Sequence, residues 1–300
     1  MIAYLLIIIT SCFITGLIIR TKSIVSGRKG PGLFQPLKNV MVLLRKGMVY
    51  SETSGMISRI APVVVLATVL VAALIVPVAG FKPVLSFNGD FILFAYLLGL
   101  GRFMMITAAF DTGNSFEGMG ASREALYGML IEPALFVLIA GLVVFTGNFS
   151  MSSLFNLPGD ANYNLIYGII ISYVIGNITL VENSRVPVDD PKTHLELTMI
   201  HEVMVLDISG FNLALIQMSL FLKFAVFGSL IASTVIPGNL PVMWRLILFS
   251  AVQLLFGVII GLVESFRTRF RMNRNQQYIL TVTLIAVILF VVILFAKKIF

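Results

Sequence analysis

Over 300 residues the chain is 58% hydrophobic and only 12% charged, with a mean hydropathy of +1.01 and a formal net charge of +7. Soluble domains carry about 25% charged residues, so this composition excludes a water-soluble fold. It also assigns the surplus cations to basic loops on one side of a membrane rather than to a nucleic-acid surface. The one cysteine, Cys12, excludes an internal disulfide, and no Cys-x-x-Cys offers a zinc or iron–sulfur site.

A helix crossing roughly 30 Å of hydrocarbon takes about 20 mostly apolar residues. Eight segments qualify: 2–19, 60–80, 91–110, 125–146, 164–182, 212–236, 242–264 and 278–296. Their apolar runs are continuous rather than alternating, which predicts helices and not barrel strands. The first lacks a basic leader and is followed directly by Arg20 and Lys22, so it reads as a retained helix with its N-terminus outside.

The loop after it, 20–59, contains 36-PLKNVMVLLRKG-47, where Leu37, Val40, Met41 and Leu44 recur at helical spacing. This predicts a short interfacial helix that keeps Lys38, Arg45 and Lys46 at the headgroups. In the third span Arg102 lies about 13 Å from the inner end at Asp111, given 1.5 Å per residue. Glu132 sits at a similar depth in the fourth span, beside Pro133. Ionisable groups at such depth cost about 2.5–3.5 kcal/mol and mark function by default. The two spans share a short loop, so an Arg102–Glu132 ion pair is expected, with proton handling as the role for Glu132. Lys223 falls near the middle of the sixth span; for it and for Arg102, a structural contact is the competing reading.

The most charged stretch is 182-ENSRVPVDDPKTHLELTMIHEVMVLDISG-210, which holds six of the fourteen acids and both histidines. His194 and His201 are two helical turns apart, either as interfacial side chains or as protonatable groups at a partner interface; HExxH is absent, which argues against zinc catalysis. Of the 21 Lys and Arg, all lie in inner loops except Lys82, Arg245, Lys297 and Lys298 outside and Arg102 and Lys223 within spans. That bias puts loops 20–59, 110–124, 182–212 and 264–277 in the cytoplasm, with both termini outside. The expected fold is thus an all-α integral membrane protein, a single polytopic domain over 1–300 in the cytoplasmic membrane. No internal repeat of the kind common in secondary transporters is evident.

Segment 182-ENSRVPVDDPKTHLEL-197 resembles the E-x-x-R-x-P-x-D-x-P-E-x-E-x-E-L loop of the H subunit of respiratory complex I, through Glu182, Arg185, Pro187, Asp189, Pro191, Glu196 and Leu197. The run 206-LDISG-210 resembles that family's E-Y-S-G, with Asp207 in the acidic place. Other segments are similar to a sister branch, the membrane anchor of formate hydrogenlyase and energy-converting NiFe hydrogenases. These are 27-GRKGPGLFQ-35 with Arg28, 110-FDTGNSFEGMGASREALYGMLIEP-133 with Asp111, Arg123, Glu124 and Glu132, and 264-ESFRTRFR-271 with Glu264, Arg269 and Arg271.

The resemblance implies a membrane anchor and ion-coupling subunit of a multisubunit complex. It implies a NiFe-type large subunit and an iron–sulfur small subunit docked on the cytoplasmic loops, with antiporter-like membrane subunits alongside. The NiFe centre and iron–sulfur clusters would sit in those partners, with no cofactor in this chain. A relay entering the membrane would use Glu132, Glu182, Asp189, Glu196, Asp207 and Glu264, with Asp111, Arg102 and Lys223 beside it. Arg28, Arg123, Glu124, Arg185, Lys192, His194, His201, Arg269 and Arg271 would dock or balance charge. Lys192 and His194 stand where the quinone-reducing relatives carry glutamates, which favours the hydrogenase-type branch. An H-type subunit of a quinone-reducing enzyme is the alternative, and a stand-alone secondary ion transporter is the alternative of another class.

Overall fold

Proline and positive-φ residues set where the apolar runs stop being helical. The run 60–80 is helical only to Ile75. Pro77 cannot continue it, and Ala79 and Gly80 turn through φ 50° and 74°. At its other end the helix starts earlier than its hydropathy, at Met56. The computed structural model describes residues 2–155, 161–190, 199–236 and 240–299.

The helices in chain order are α1 (Ile2–Val25), α2 (Gln35–Arg45), α3 (Met56–Ile75), α4 (Asp90–Asp111), α5 (Ser115–Thr146), α6 (Met151–Leu154), α7 (Ala161–Glu182), α8 (Gly210–Val235), α9 (Val242–Phe266) and α10 (Met272–Ile299). A 3₁₀ turn covers Val203–Val205. Seven of these helices are long and apolar enough to cross a membrane, and α7 adds a shorter apolar stretch, Ile166–Glu182. Together they match the expected eight spans. The expected interfacial helix is α2, which buries Pro36 and Val40 against α8 and α1 while Met41 and Leu44 remain exposed. Pro133 lies inside α5, which runs as one helix from Ser115 to Thr146, so the expected loop 110–124 is helical except around Thr112–Asn114 and the fourth span begins ten residues earlier than its hydropathy. Its start is fixed by Asn114, whose side chain accepts a hydrogen bond from the Phe116 N–H.

Helix α8 forms the core. Of its most apolar window, 78% is buried, against 28–44% for the other spans, and it packs on α1, α2, α3, α7 and α9. Around it stand the pairs α3–α4, α5–α10 and α1–α9. Phe224 and Phe227 of α8 are fully buried with Phe94 and Phe249. The polar Gln253 of α9 is buried too. It donates to the Ala225 carbonyl (3.0 Å) and to Ser229 Oγ (3.1 Å), and the bare face of Gly228 leaves it room. Small residues at such crossings let apolar helices approach closely, which supplies the packing that the hydrophobic effect cannot supply in lipid. The outer faces of α4, α9 and α10 carry exposed Leu, Ile, Val and Phe, as a hydrocarbon solvent requires.

At the end holding the basic loops, the four connecting segments lock together. Ser209 exchanges hydrogen bonds with the Val49 backbone (3.0 and 2.9 Å). Gly210, at φ 55°, lies against the Gly47 backbone where a Cβ has no space. The Phe270 N–H donates to the Pro187 carbonyl (3.0 Å), and Asn275 Nδ2 donates to the Val188 carbonyl (2.9 Å).

Candidate functional site

Four helices converge beneath this interlocked floor, and each delivers a charge. Arg102 of α4 is only 6% exposed in its side chain and faces three carboxylates. Its Nη1 lies 2.6 Å from Glu132 of α5, its Nε 3.8 Å from Glu124 of α5, and its Nη2 contacts Glu182, the last residue of α7. The second oxygen of Glu182 is 3.8 Å from Lys223 Nζ of α8. Glu124 also accepts from the Ser184 hydroxyl at 3.3 Å. The cluster therefore holds two cations and three carboxylates.

The local sequence explains how so large a guanidinium fits. Glu124, Gly128 and Glu132 are spaced by four along one face of α5. A Cβ at Gly128 would lie 2.5 Å from Arg102 Nη1 and 2.7 Å from its Cδ. The glycine is thus the slot through which the arginine reaches both glutamates.

Burial grades the cluster. Glu124, Glu182, Arg102 and Lys223 are between 5% and 12% exposed in their side chains, whereas Glu132 is 47% exposed. A cavity of about 420 Å³ opens between α4, α5 and α7, and Arg102, Glu132 and Glu182 form its charged wall. The cluster has a sealed end under the loops and an open end at Glu132.

A second group of charges ties the floor together. Glu264, at the end of α9, pairs with Lys22 of α1 (3.0 Å) and with Arg185 of the loop after α7 (3.4 Å), and its side chain is fully buried. The Arg185 guanidinium also lies 5.2 Å from the centre of the Phe224 ring. Asp189 is 1% exposed; it pairs with Arg269 at 3.1 Å and accepts the N–H groups of Asp190, Ile200 and His201 at 2.9–3.2 Å. Burial raises its carboxyl above the ordinary value, against the pull of Arg269 and the three N–H groups. Its geometry is that of a staple closing the loop on itself. Asp111 accepts the Ser58 N–H at 3.0 Å, capping the start of α3. Asp207 lies at the loop's far end with its backbone N–H on Glu117 (2.8 Å). Arg123 donates to the Met199 carbonyl at 2.9 Å.

His201 sits in the same floor, its Nε2 buried and without a hydrogen-bond partner among the described residues. Burial first, then the nearby Lys223 and Arg185, push its pKa down from 6.5 to about 4. Arg28 and Arg271 are exposed on the same end. Lys192, His194 and Glu196 lie outside the described residues. No group of three His, Cys, Asp or Glu among the described residues is placed to hold a metal ion.

Of the residues singled out in the sequence, the structure brings Arg102, Glu124, Glu132, Glu182 and Lys223 into one cluster and Glu264 and Arg185 into another. Glu117 was not among them. It is fully buried, holding the Thr112 hydroxyl and the Asp207 N–H. The only signal for it in the sequence is an acid in the first turn of α5, where helix N-termini favour negative charge.

Known proteins share both the sequence and the fold. Hydrogenase-4 component C of Escherichia coli is 29% identical over 78% of this chain and 73% of its own length. Formate hydrogenlyase subunit 4 of the same organism is 27% identical over 79% and 75%. The H subunit of NADH-quinone oxidoreductase from Rubrobacter xylanophilus is 25% identical over 71% of this chain and 64% of its own. The fold matches a chain in the structure of the membrane-bound sulfane sulfur reductase, an archaeal respiratory membrane complex. That match has a TM-score of 0.80 at 21% identity and covers 97% of this chain and 98% of that one. The NADH dehydrogenase family pattern spans residues 1–295, and the chain belongs to that family, which includes the H subunit of complex I.

Proposed function

We propose that this chain is the membrane anchor and ion-coupling subunit of an energy-converting NiFe-hydrogenase or formate-hydrogenlyase-type complex. In this reading the floor built from loops 20–59, 182–212 and 264–277 and from the α4–α5 turn with the first turns of α5 receives the redox module, a NiFe-type large subunit with an iron–sulfur small subunit. Those partners hold the redox groups, and antiporter-like membrane subunits stand alongside. The observation that carries the reading is the Arg102–Glu124–Glu132–Glu182–Lys223 cluster. It begins at the foot of the floor, at Glu182, and ends inside the membrane at the half-exposed Glu132 and its cavity. A charge change in the loops alters the field at Glu182, and the shared cation Arg102 passes that change to Glu132, where a proton can be taken or released. Asp207 and Glu264 would serve as floor-side groups of the same path, and Arg28, Arg271 and His201 as charges presented to the partner.

The experiment is Glu132→Gln in the intact complex. Assembly is expected to be unchanged because the half-exposed amide still accepts from Arg102, while proton translocation into proteoliposomes falls by about tenfold or more. Wild-type translocation by the variant refutes the role of Glu132. Mild-detergent purification tests the rest. A co-purifying NiFe large subunit supports the reading, flavin- and NADH-binding subunits redirect it to a quinone-reducing complex, and an active homo-oligomer of this chain alone refutes both.

A further inference from the structure

Helices α7 and α9 stand apart over α8 and leave between them an apolar groove of about 420 Å³, lined by residues such as Ile169, Gly176, Val252, Leu255, Ile259 and Ile231. It adjoins a more polar pocket of about 460 Å³ bounded by Thr268, Phe270, Tyr278 and Thr281, and Tyr173 and Arg267 belong to both walls. At the junction Arg267 is hydrogen-bonded to the Tyr278 hydroxyl, which in turn donates to Asn177.

Two observations define the occupant. The first is length. The groove runs beside α7 from Ile169 to Leu180 and beside α9 from Val252 to Val263, about 16 Å at 1.5 Å per residue, or half of the ~30 Å hydrocarbon layer. A partner helix would need a groove twice as long, whereas an acyl chain from one leaflet needs this one. The second is charge. The segment 265-SFRTRFRMNRNQQ-277 contains no acid. Arg267, Arg271 and Arg274 are exposed, and the neighbouring Glu264 is buried against Lys22 and Arg185. An apolar slot adjoining a cationic, more polar pocket is complementary to an amphiphile with a negative head.

We propose that the α7–α9 groove is a binding site for one anionic glycerophospholipid from the leaflet facing the basic loops, its acyl chain in the slot and its phosphate at Arg267. The inference rests on the fold and its charge, not on the redox role proposed above. Bound there, the lipid bridges α7 and α9 and fills the membrane-facing gap beside α8.

The test uses the intact complex, delipidated in detergent and offered phosphatidylglycerol or phosphatidylcholine, with retained lipid counted by native mass spectrometry. One phosphatidylglycerol per chain is expected, held about five- to tenfold more strongly than phosphatidylcholine. Arg267→Gln is expected to abolish that preference while leaving a lipid bound. Gly176→Leu is expected to displace both lipids, since a side chain at Gly176 meets nothing within 4 Å and fills only the slot. If that variant does not fold, Leu255→Trp at an exposed position replaces it. Wild-type preference in Arg267→Gln, full retention in the slot-filling variant, or a photo-crosslinker at Leu255 that captures a protein subunit instead of lipid each overturns the proposal.

Discussion

Replacing Arg102 with Gln tests whether the buried charges act as one unit. In the wild type two cations serve three carboxylates; in the variant Lys223 is left to serve them, from its place beside Glu182. At an effective dielectric near 20, two unit charges about 4 Å apart interact by about 4 kcal/mol. Arg102 makes contacts of this order with Glu124 and Glu182, and the half-exposed Glu132 is left out of the sum. Against this stands the desolvation of the guanidinium, several kcal/mol, so the net loss on breaking the cluster is about 3–5 kcal/mol. The slot opposite Gly128 also empties and adds a cavity. For a chain of this size a loss of about 3–5 kcal/mol lowers the detergent-state melting temperature by roughly 5–8 °C.

The diagnostic step is the double variant. Glu182→Gln removes the carboxylate in closest contact with Arg102, so Arg102→Gln with Glu182→Gln is expected to be more stable than the sum of the single losses by at least about 2 kcal/mol. The measurement is a double-mutant cycle on melting temperature, with native subunit composition checked in each variant. Strict additivity would refute the argument that Arg102 and Glu182 are one electrostatic unit.

Two further outcomes follow from the floor. Gly120→Ala places a Cβ 2.8 Å from the Ile200 carbonyl and 3.0 Å from Met204 Cγ; such overpacking costs about 1–3 kcal/mol. It is expected to speed hydrogen exchange across Met199–Val205, and unchanged exchange would show that α5 does not brace this loop. His201, whose folded pKa is about 4 against 6.5 unperturbed, refuses a proton that the unfolded chain accepts. Its contribution to stability is therefore full above about pH 6.5 and declines as pH falls, by about 1.4 kcal/mol per unit, until about pH 4. His201→Gln is expected to remove one proton from the slope of stability against pH in that window, and an unaltered slope would refute the burial of a neutral ring.

The spans were legible because hydrocarbon accepts little besides continuous apolar runs, and the basic residues could be assigned to one end for the same reason. The ends of the helices were less so. The apolar run continues to residue 80, but Pro77 and two positive-φ residues stop the helix at Ile75. The Arg102–Glu132 contact could be read from equal depth on neighbouring spans. Even the Glu124–Gly128–Glu132 stripe was present as a spacing of four. The arrival of Glu182 at the same arginine, with Lys223 on its second oxygen, could not be read, because α7 and α8 are placed by packing between helices distant in sequence. Asp189 shows the other limit. The loop motif marks it as important but carries no trace of the three N–H groups and the arginine that enclose it.

The Lys22–Glu264 pair spans 242 residues, and this bears on the order in which the protein is made. At synthesis rates of about 5–20 residues per second, α1 waits roughly 12–48 s in the bilayer before the carboxylate that secures it exists. Its main packing partners α8 and α9 arrive equally late. During that interval its hydroxyls need other company. Thr10, Ser11 and Thr21 have it, bonding to carbonyls one turn back in α1 itself, whereas the buried Thr15 hydroxyl has no partner among the described residues. The first helix thus satisfies most of its own hydroxyls and is structurally committed only near the end of translation. Nascent chains halted before residue 264 should retain an inserted but unanchored α1.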